Sequence, residues 1–261
     1  FPNSIEYWGP NGMVFFRNVQ VRWTPWQNGD SRFAVALERP GASADQGVYA
    51  GRIELEGVSG RFPLPDLSAQ FRYAKGWGHV QVAGILRQIK WDDTNDDQYD
   101  LTGDATGWGI NLSTNVKFGA RKHVFRGQVA FGEGVQNYWN DAPVDVGIRN
   151  NFQDPRTPVV GEALPILGIV AFLDLNWSDR WTSTVGYSLV DIDNTDGMTD
   201  SAFKKGQYAL ANVMYYPTKG VMLGPEIQWG KRENFRDGFT SDDLRIQFSA
   251  KYNFKMSFGG K

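Results

Sequence analysis

LRIQFSAKYNF, residues 244–254, is the stretch on which the fold turns. Taken two at a time, Leu244, Ile246, Phe248, Ala250, Tyr252 and Phe254 fall on one face, and Arg245, Gln247, Ser249, Lys251 and Asn253 on the other. A period of two sustained over this length is a β-strand with one apolar and one polar side. Two all-β architectures can hold such a strand. In a soluble sandwich the apolar side points into the core, whereas in a membrane barrel it points to lipid and the charged side lines water.

The same alternation recurs along the chain. Phe15, Val19, Val21 and Trp23 mark a strand over Met13 to Thr24, and Pro25 to Asp30 turns the chain into Phe33, Val35 and Leu37. A long segment from Pro40 to Asp66 holds a short candidate strand at Arg52 to Glu56. Leu67 to Ala74, Gly78 to Trp91, Trp108 to Lys117 and Phe125 to Phe131 alternate in turn, followed by Ile166 to Trp177, Trp181 to Leu189, Gly206 to Tyr216, Val221 to Gly230 and Asp243 to Lys255. This amounts to about eleven strands of roughly nine to twelve residues, the length a tilted membrane strand needs. Bacterial single-chain barrels close with an even number, so eleven implies either a twelfth near Arg52 or strands preceding Phe1.

Two regularities favour the barrel. Short turns at 25–30, 75–77, 119–122, 178–180 and 217–220 alternate with long loops at 40–66, 92–104, 133–165, 191–205 and 232–242. An up-and-down meander with one short-turn rim and one long-loop rim produces this rhythm, and Greek-key sandwiches do not. Trp23, Trp77, Phe118, Trp177, Trp181, Tyr216, Tyr252 and Phe254 all lie beside the short turns. Such clustering is expected of an aromatic belt at a membrane interface.

Composition narrows the function. The 261 residues carry a formal charge of −2, 30 glycines, ten Trp, ten Tyr, 17 Phe and no cysteine, which excludes a disulfide framework and thiolate metal sites. No apolar run is long enough for a transmembrane helix. The chain opens on Phe1 without a charged-then-apolar leader, so a removed signal peptide or a fragment is expected. Balanced, segregated charge argues against nucleic acid. His79 and His123 are the only histidines and lack the spacing of a hydrolase or zinc motif, so no catalytic residue, metal or cofactor is expected. The six aspartates of 92–104 do not follow an EF-hand spacing and suit a solvated loop.

Arg22, Arg32, Arg72, Arg87, Lys90, Lys117, Arg126, Arg245 and Lys251 fall on the polar faces, against Glu38, Asp174 and Glu226. A lumen so lined is net positive, and a wall charge about 4 Å from a solute charge contributes roughly 1 to 4 kcal/mol between surface and water dielectrics. Two such contacts select a dianion and still release it. Glu226 and Arg245, on neighbouring strands, are expected to pair structurally.

EYWGPNGMVFFRNVQVRWTP (6–25), FAVALERPG (33–41), NVMYYPTKG (212–220), GPEIQWGKRENF (224–235) and RIQFSAKYNF (245–254) resemble the DcaP-like outer-membrane porins of Gram-negative bacteria over nearly the whole chain. The resemblance implies a trimeric sixteen-stranded barrel taking up dicarboxylic acids and other small anions. It also implies that 1–261 is a single porin domain lacking about five N-terminal strands, with Phe1 to Gly12 the end of a constricting loop. Carried onto matching positions, it implies an anion path along Arg17, Arg22, Arg72, Arg87 and Arg245, to which the polar faces add Arg126, Lys251 and Glu226. The expected partners are outer-membrane lipid and lipopolysaccharide, small anionic solutes and two further copies of the chain. The alternatives are a non-channel outer-membrane barrel, adhesive or structural, and a soluble all-β carbohydrate-binding protein.

Overall fold

The computed structural model describes residues 2–5 and 9–254. Residues 6–8, from the EYWGP motif, and 255–261, including the last residue expected of the final strand, lie outside the described residues. The strands are β1 (Gln20–Gln27), β2 (Ser31–Glu38), β3 (Val58–Arg61), β4 (Asp66–Lys75), β5 (Gly78–Asp93), β6 (Gly103–Phe118), β7 (His123–Glu133), β8 (Val146–Asn150), β9 (Val159–Ala163), β10 (Pro165–Asn176), β11 (Trp181–Ile192), β12 (Phe203–Tyr215), β13 (Val221–Asn234) and β14 (Thr240–Tyr252). Eleven of them form one antiparallel meander in the order β1-β2-β4-β5-β6-β7-β10-β11-β12-β13-β14. β3 adds to the outer end of β5, and β8 and β9 form a separate hairpin. Among the described residues each wall strand pairs with its neighbours in this order, and β1 and β14 pair on one side only.

The apolar faces point outward. Phe71, Val82, Leu112 and Val129 are register neighbours across four strands, and each is more than 40% exposed. The alternate positions turn inward, where Ala34, Ala36, Gln128, Val170, Thr184, Asn212 and Glu226 are buried. A row of solvent-facing Phe, Val and Leu on a hydrogen-bonded wall is stable only against hydrocarbon.

Aromatics bound this oily band at both ends. At the short-turn rim Trp181 lies on Tyr215 with centroids 4.6 Å apart, and Trp177 donates its indole N–H to Ser183 at 2.7 Å. At the long-loop rim Trp108 donates to Glu133 at 2.7 Å, and the Tyr187 hydroxyl donates to Gln207 at 2.5 Å. An amphipathic ring with its polar tip satisfied suits the headgroup level. Phe118 ends β6 at the short-turn rim, and Trp108 lies on the same face toward the long-loop end of the strand. Their separation along the strand, about 33 Å, gives roughly 25 Å of height at a typical barrel tilt, the thickness of a hydrocarbon band.

Local chemistry sets several boundaries differently from the sequence expectation. The candidate strand at Arg52 to Glu56 is a 3-10 turn over Ile53–Leu55, because Leu55 drops into a cluster with Tyr49, Leu101, Ile148 and Val159; pairing with β5 begins only at Val58. β1 starts at Gln20 and runs through Pro25 to Gln27, with a bulge between Trp23 and Trp26. A bulged edge strand tolerates the missing Pro N–H. Asn28 then closes the turn, its side-chain oxygen accepting from the amides of Asp30 and Ser31 at 3.1 and 2.8 Å. The segment 133–165, expected to be loop throughout, contains the β8–β9 hairpin.

Residues upstream of β1 leave the wall and run inside it. Met13 and Phe15 exchange backbone hydrogen bonds with Asn140 and Tyr138, and Val14 bridges Trp139. Gly12, at φ +73°, lies so close to β10 and β11 that a Cβ there would sit 2.1 Å from the Leu189 carbonyl oxygen. Gly12→Ala is therefore expected to destabilise this inner strap by more than about 1 kcal/mol, through strain and overlap together. Faster proteolysis between residues 9 and 16, with the wall intact by circular dichroism, is the expected reading; an unchanged cleavage rate would contradict the docking.

Candidate functional site

Two inserted segments shape the space inside the wall. Asn3 accepts at its carbonyl from Thr184 and Asn212 and donates its amide to Asp174, while the Ile5 amide donates to Glu226 at 2.8 Å. Gln128 donates to the Gly12 carbonyl at 3.2 Å. Residues 2–5 and 9–14 thus cover the inner faces of β7 and β10–β13, where Val170, Phe172 and Leu210 form a buried cluster with Met13.

The second insertion follows β7. Val135, Tyr138 and Trp139 pack with Leu164, Ile166, Val190, Ile192 and Met198 in the upper lumen. Arg87 on β5 fastens this segment to the wall. Its Nη1 lies 3.2 Å from Asp145 and donates to the Gly134 carbonyl and the Asn137 side chain, its Nη2 donates to the Gly41 carbonyl, and its Nε stands 3.3 Å from Asp66 as an ion pair. Asp145 also accepts from the amides of Ser43 and Asn137, at 2.8 and 3.1 Å. Tyr138 donates its hydroxyl to Asp66 at 2.9 Å. Burial and that carboxylate push the Tyr138 phenol above its ordinary range, so it remains a donor at physiological pH.

What stays open is the space against β1, β2, β4, β5 and β6. A cavity of about 330 Å³ lies there, bounded by Gln20, Arg22, Glu38, Gln70, Asn111 and Tyr138. On the short-turn side of it the wall presents Arg32 and Arg72, which are register partners. Arg126, further round, is held by Asp174 at 2.6 Å. His79 faces inward within electrostatic reach of Arg72 and Arg126. Arg87 and Arg126 are thus matched by buried carboxylates, whereas Arg32 and Arg72 form no ion pair with a described residue.

The residues expected on an anion path divide accordingly. Arg22 lines the cavity, and Arg72 lies on the same inner face. Arg245 and Lys251 lie on the inward face of β14, and Arg17 sits over the Phe15 ring at 5.9 Å. Arg87 and Glu226 are not on the water path. The Arg87 side chain is 1% exposed within the wall-to-loop contact. Glu226 is buried under Ile5 and accepts from Asn212, Gln228 and Gln247. The expected pairing of Glu226 with Arg245 is displaced by register: Gln247 stands opposite Glu226, and Arg245 opposite Gln228. Face assignment alone leaves that two-residue choice open. Lys90, expected inward, points outward opposite Arg61 and Asp104, since three positions from Arg87 reverses the face. The loop aspartates bond the loop's own amides, Asp93 those of Asn95 and Leu101, Asp97 that of Tyr99 and Asp100 that of Thr102.

No protein-family model matches the chain, and no curated protein matches it. Among solved structures, the outer membrane channel DcaP of Acinetobacter baumannii superposes with a TM-score of 0.77 at 23% identity, over 97% of this chain and 67% of that one. The chain has a DcaP-like fold. Its meander is that of a bacterial outer-membrane β-barrel, and the resemblance noted from the sequence motifs holds for the backbone over 97% of the chain. The DcaP-like fold also accounts for the two rims, since an up-and-down barrel separates short turns from long loops.

Proposed function

We propose that this chain forms the wall of a channel in the bacterial outer membrane that passively conducts small anionic solutes, dicarboxylic acids among them. The observation that carries the proposal is the basic excess on the open side of the lumen, where Arg22, Arg32 and Arg72 face inward and form no ion pair with a described residue, against the single carboxylate of Glu38, while Asp66 and Asp174 are paired with Arg87 and Arg126. An unmatched positive wall raises the local concentration of anions and lowers that of cations. In hydrocarbon the open edges of β1 and β14 need strand partners, so the function takes the eleven strands as part of a larger closed wall. A trimer seated in outer-membrane lipid and lipopolysaccharide belongs to the same proposal, with cross-linking of purified protein as its check.

Reversal potentials in planar bilayers test the selectivity. The wild-type channel is expected to favour chloride over potassium, and Arg22→Glu with Arg72→Glu to move the reversal potential toward the cation side. Unchanged selectivity would remove these two residues from the path. A second function is favoured by one observation, the dense packing of residues 2–5, 9–14 and 134–139 against the inner wall. It would suit a plugged structural barrel, and a protein that inserts into bilayers yet passes no current would establish it.

A further inference from the structure

Among the inward-facing cations, Arg32 and Arg72 are register partners. They stand directly opposite each other on β2 and β4, on the lumen side, and among the described residues the buried Nε of each has no hydrogen-bond partner. Like charges directly opposed destabilise a sheet. Of the inward acids nearby, Asp174 is paired with Arg126 and Asp66 with Arg87, and Glu38, bonded to the Ser68 hydroxyl, lies at the opposite end of β2 from Arg32. Gln81 faces Arg72 from β5, and His79 lies one inward position further toward the short turns. The register neighbours Gln27 and Gln81 are neutral amides, so no carboxylate stands beside either guanidinium in the register, and the charge they lack is an anion's.

The spacing says which kind. Directly opposed residues hold their Cβ atoms about 5 Å apart, so two guanidinium forks rising from them converge on one small volume. A dicarboxylate spreads its charges along a carbon chain, and only one end can occupy that volume. An oxyanion with both charges on one centre offers each fork its own pair of oxygens. We propose that Arg32 and Arg72 form a station, in the short-turn half of the lumen, for a single doubly charged oxyanion group of the sulfate or phosphate class. The station rests on the channel function proposed above and adds the geometry of the charge that it retains.

The test is block of chloride current by sodium sulfate and, separately, sodium succinate, recorded with the full protein in planar bilayers. Sulfate is expected to block at lower concentration than succinate. Arg32→Gln with Arg72→Gln is expected to raise the half-blocking sulfate concentration about tenfold or more while the channel still conducts. Arg72→Lys keeps the charge but loses the fork, and is expected to bring the half-blocking concentration of sulfate close to that of succinate. Equal block by the two anions, or sulfate block that survives the double replacement, overturns the station even in a chloride-selective channel. A reversal potential showing no anion preference in the same recordings would instead remove the channel function itself, and the station with it.

Discussion

Arg87→Ala is expected to unfasten the segment that follows β7 from the inner wall while the wall itself persists. The Arg87 guanidinium lies between Asp66 and Asp145, whose side chains are 2% and 0% exposed. Removing it leaves two buried carboxylates uncompensated, a loss of about 3–5 kcal/mol for breaking one side of a buried ion cluster. The strand ladders on either side of β5 do not depend on this side chain, since they are backbone hydrogen bonds to β4 and β6. The energy therefore appears as undocking of residues 134–145 rather than loss of the barrel. Two measurements follow: faster proteolysis within 134–165, and larger single-channel conductance as Tyr138 and Trp139 leave the lumen. Joint replacement by apolar residues, Arg87→Met with Asp66→Leu and Asp145→Leu, is expected to restore much of the docking, because no charge is then left buried alone. A single Arg87→Ala variant with wild-type proteolysis and conductance would show that packing around Trp139 holds the segment without the ion cluster.

Leu112→Arg is the counterpart on the outer face. Leu112 lies between the rim aromatics Phe118 and Trp108, with Val82 and Val129 as its register neighbours, and is 48% exposed. Near the midplane of a bilayer an arginine costs about 2–4 kcal/mol, falling toward zero at the interfaces. Val213, two positions from Tyr215 on β12, shares the outward face but lies near the short-turn rim. Urea titrations of refolding into phospholipid vesicles are expected to show a large fall in stability for Leu112→Arg and a small one for Val213→Arg. Equal effects would mean that depth does not matter, and a stable Leu112→Arg variant would mean that this face never meets lipid.

The outward face was legible in the residues because strand side chains alternate strictly. Once Leu244, Ile246 and Phe248 share a side, Arg245 and Gln247 must share the other. Which side met hydrocarbon was legible from Trp77, Trp177 and Trp181, since interfacial energetics gather amphipathic rings at one depth. Loop rhythm was legible too, because tight turns need Asn, Gly and Ser at fixed positions. The site was less so. Arg72 and Arg22 could be placed on the polar face, but polarity does not distinguish a charge facing water from one sealed by an inserted loop. Arg87 carries the same pattern as Arg72 and has the opposite fate. Its partners lie on β4 and in the segment before β8, and no local periodicity connects them.

Periodicity over ten or so residues is a local property, so the sequence by itself determined the eleven wall strands, though not all their boundaries, together with the two faces, the two rims and the identity of the lipid-facing surface. Which inward cations remain free depends on contacts between residues far apart in the chain: Asn3 with Thr184, Gly12 with Leu189, Arg87 with Asp145, Arg32 with Arg72. Only the tertiary structure decided those, because closing such long loops is rewarded by packing and charge pairing that exist only after the wall has formed.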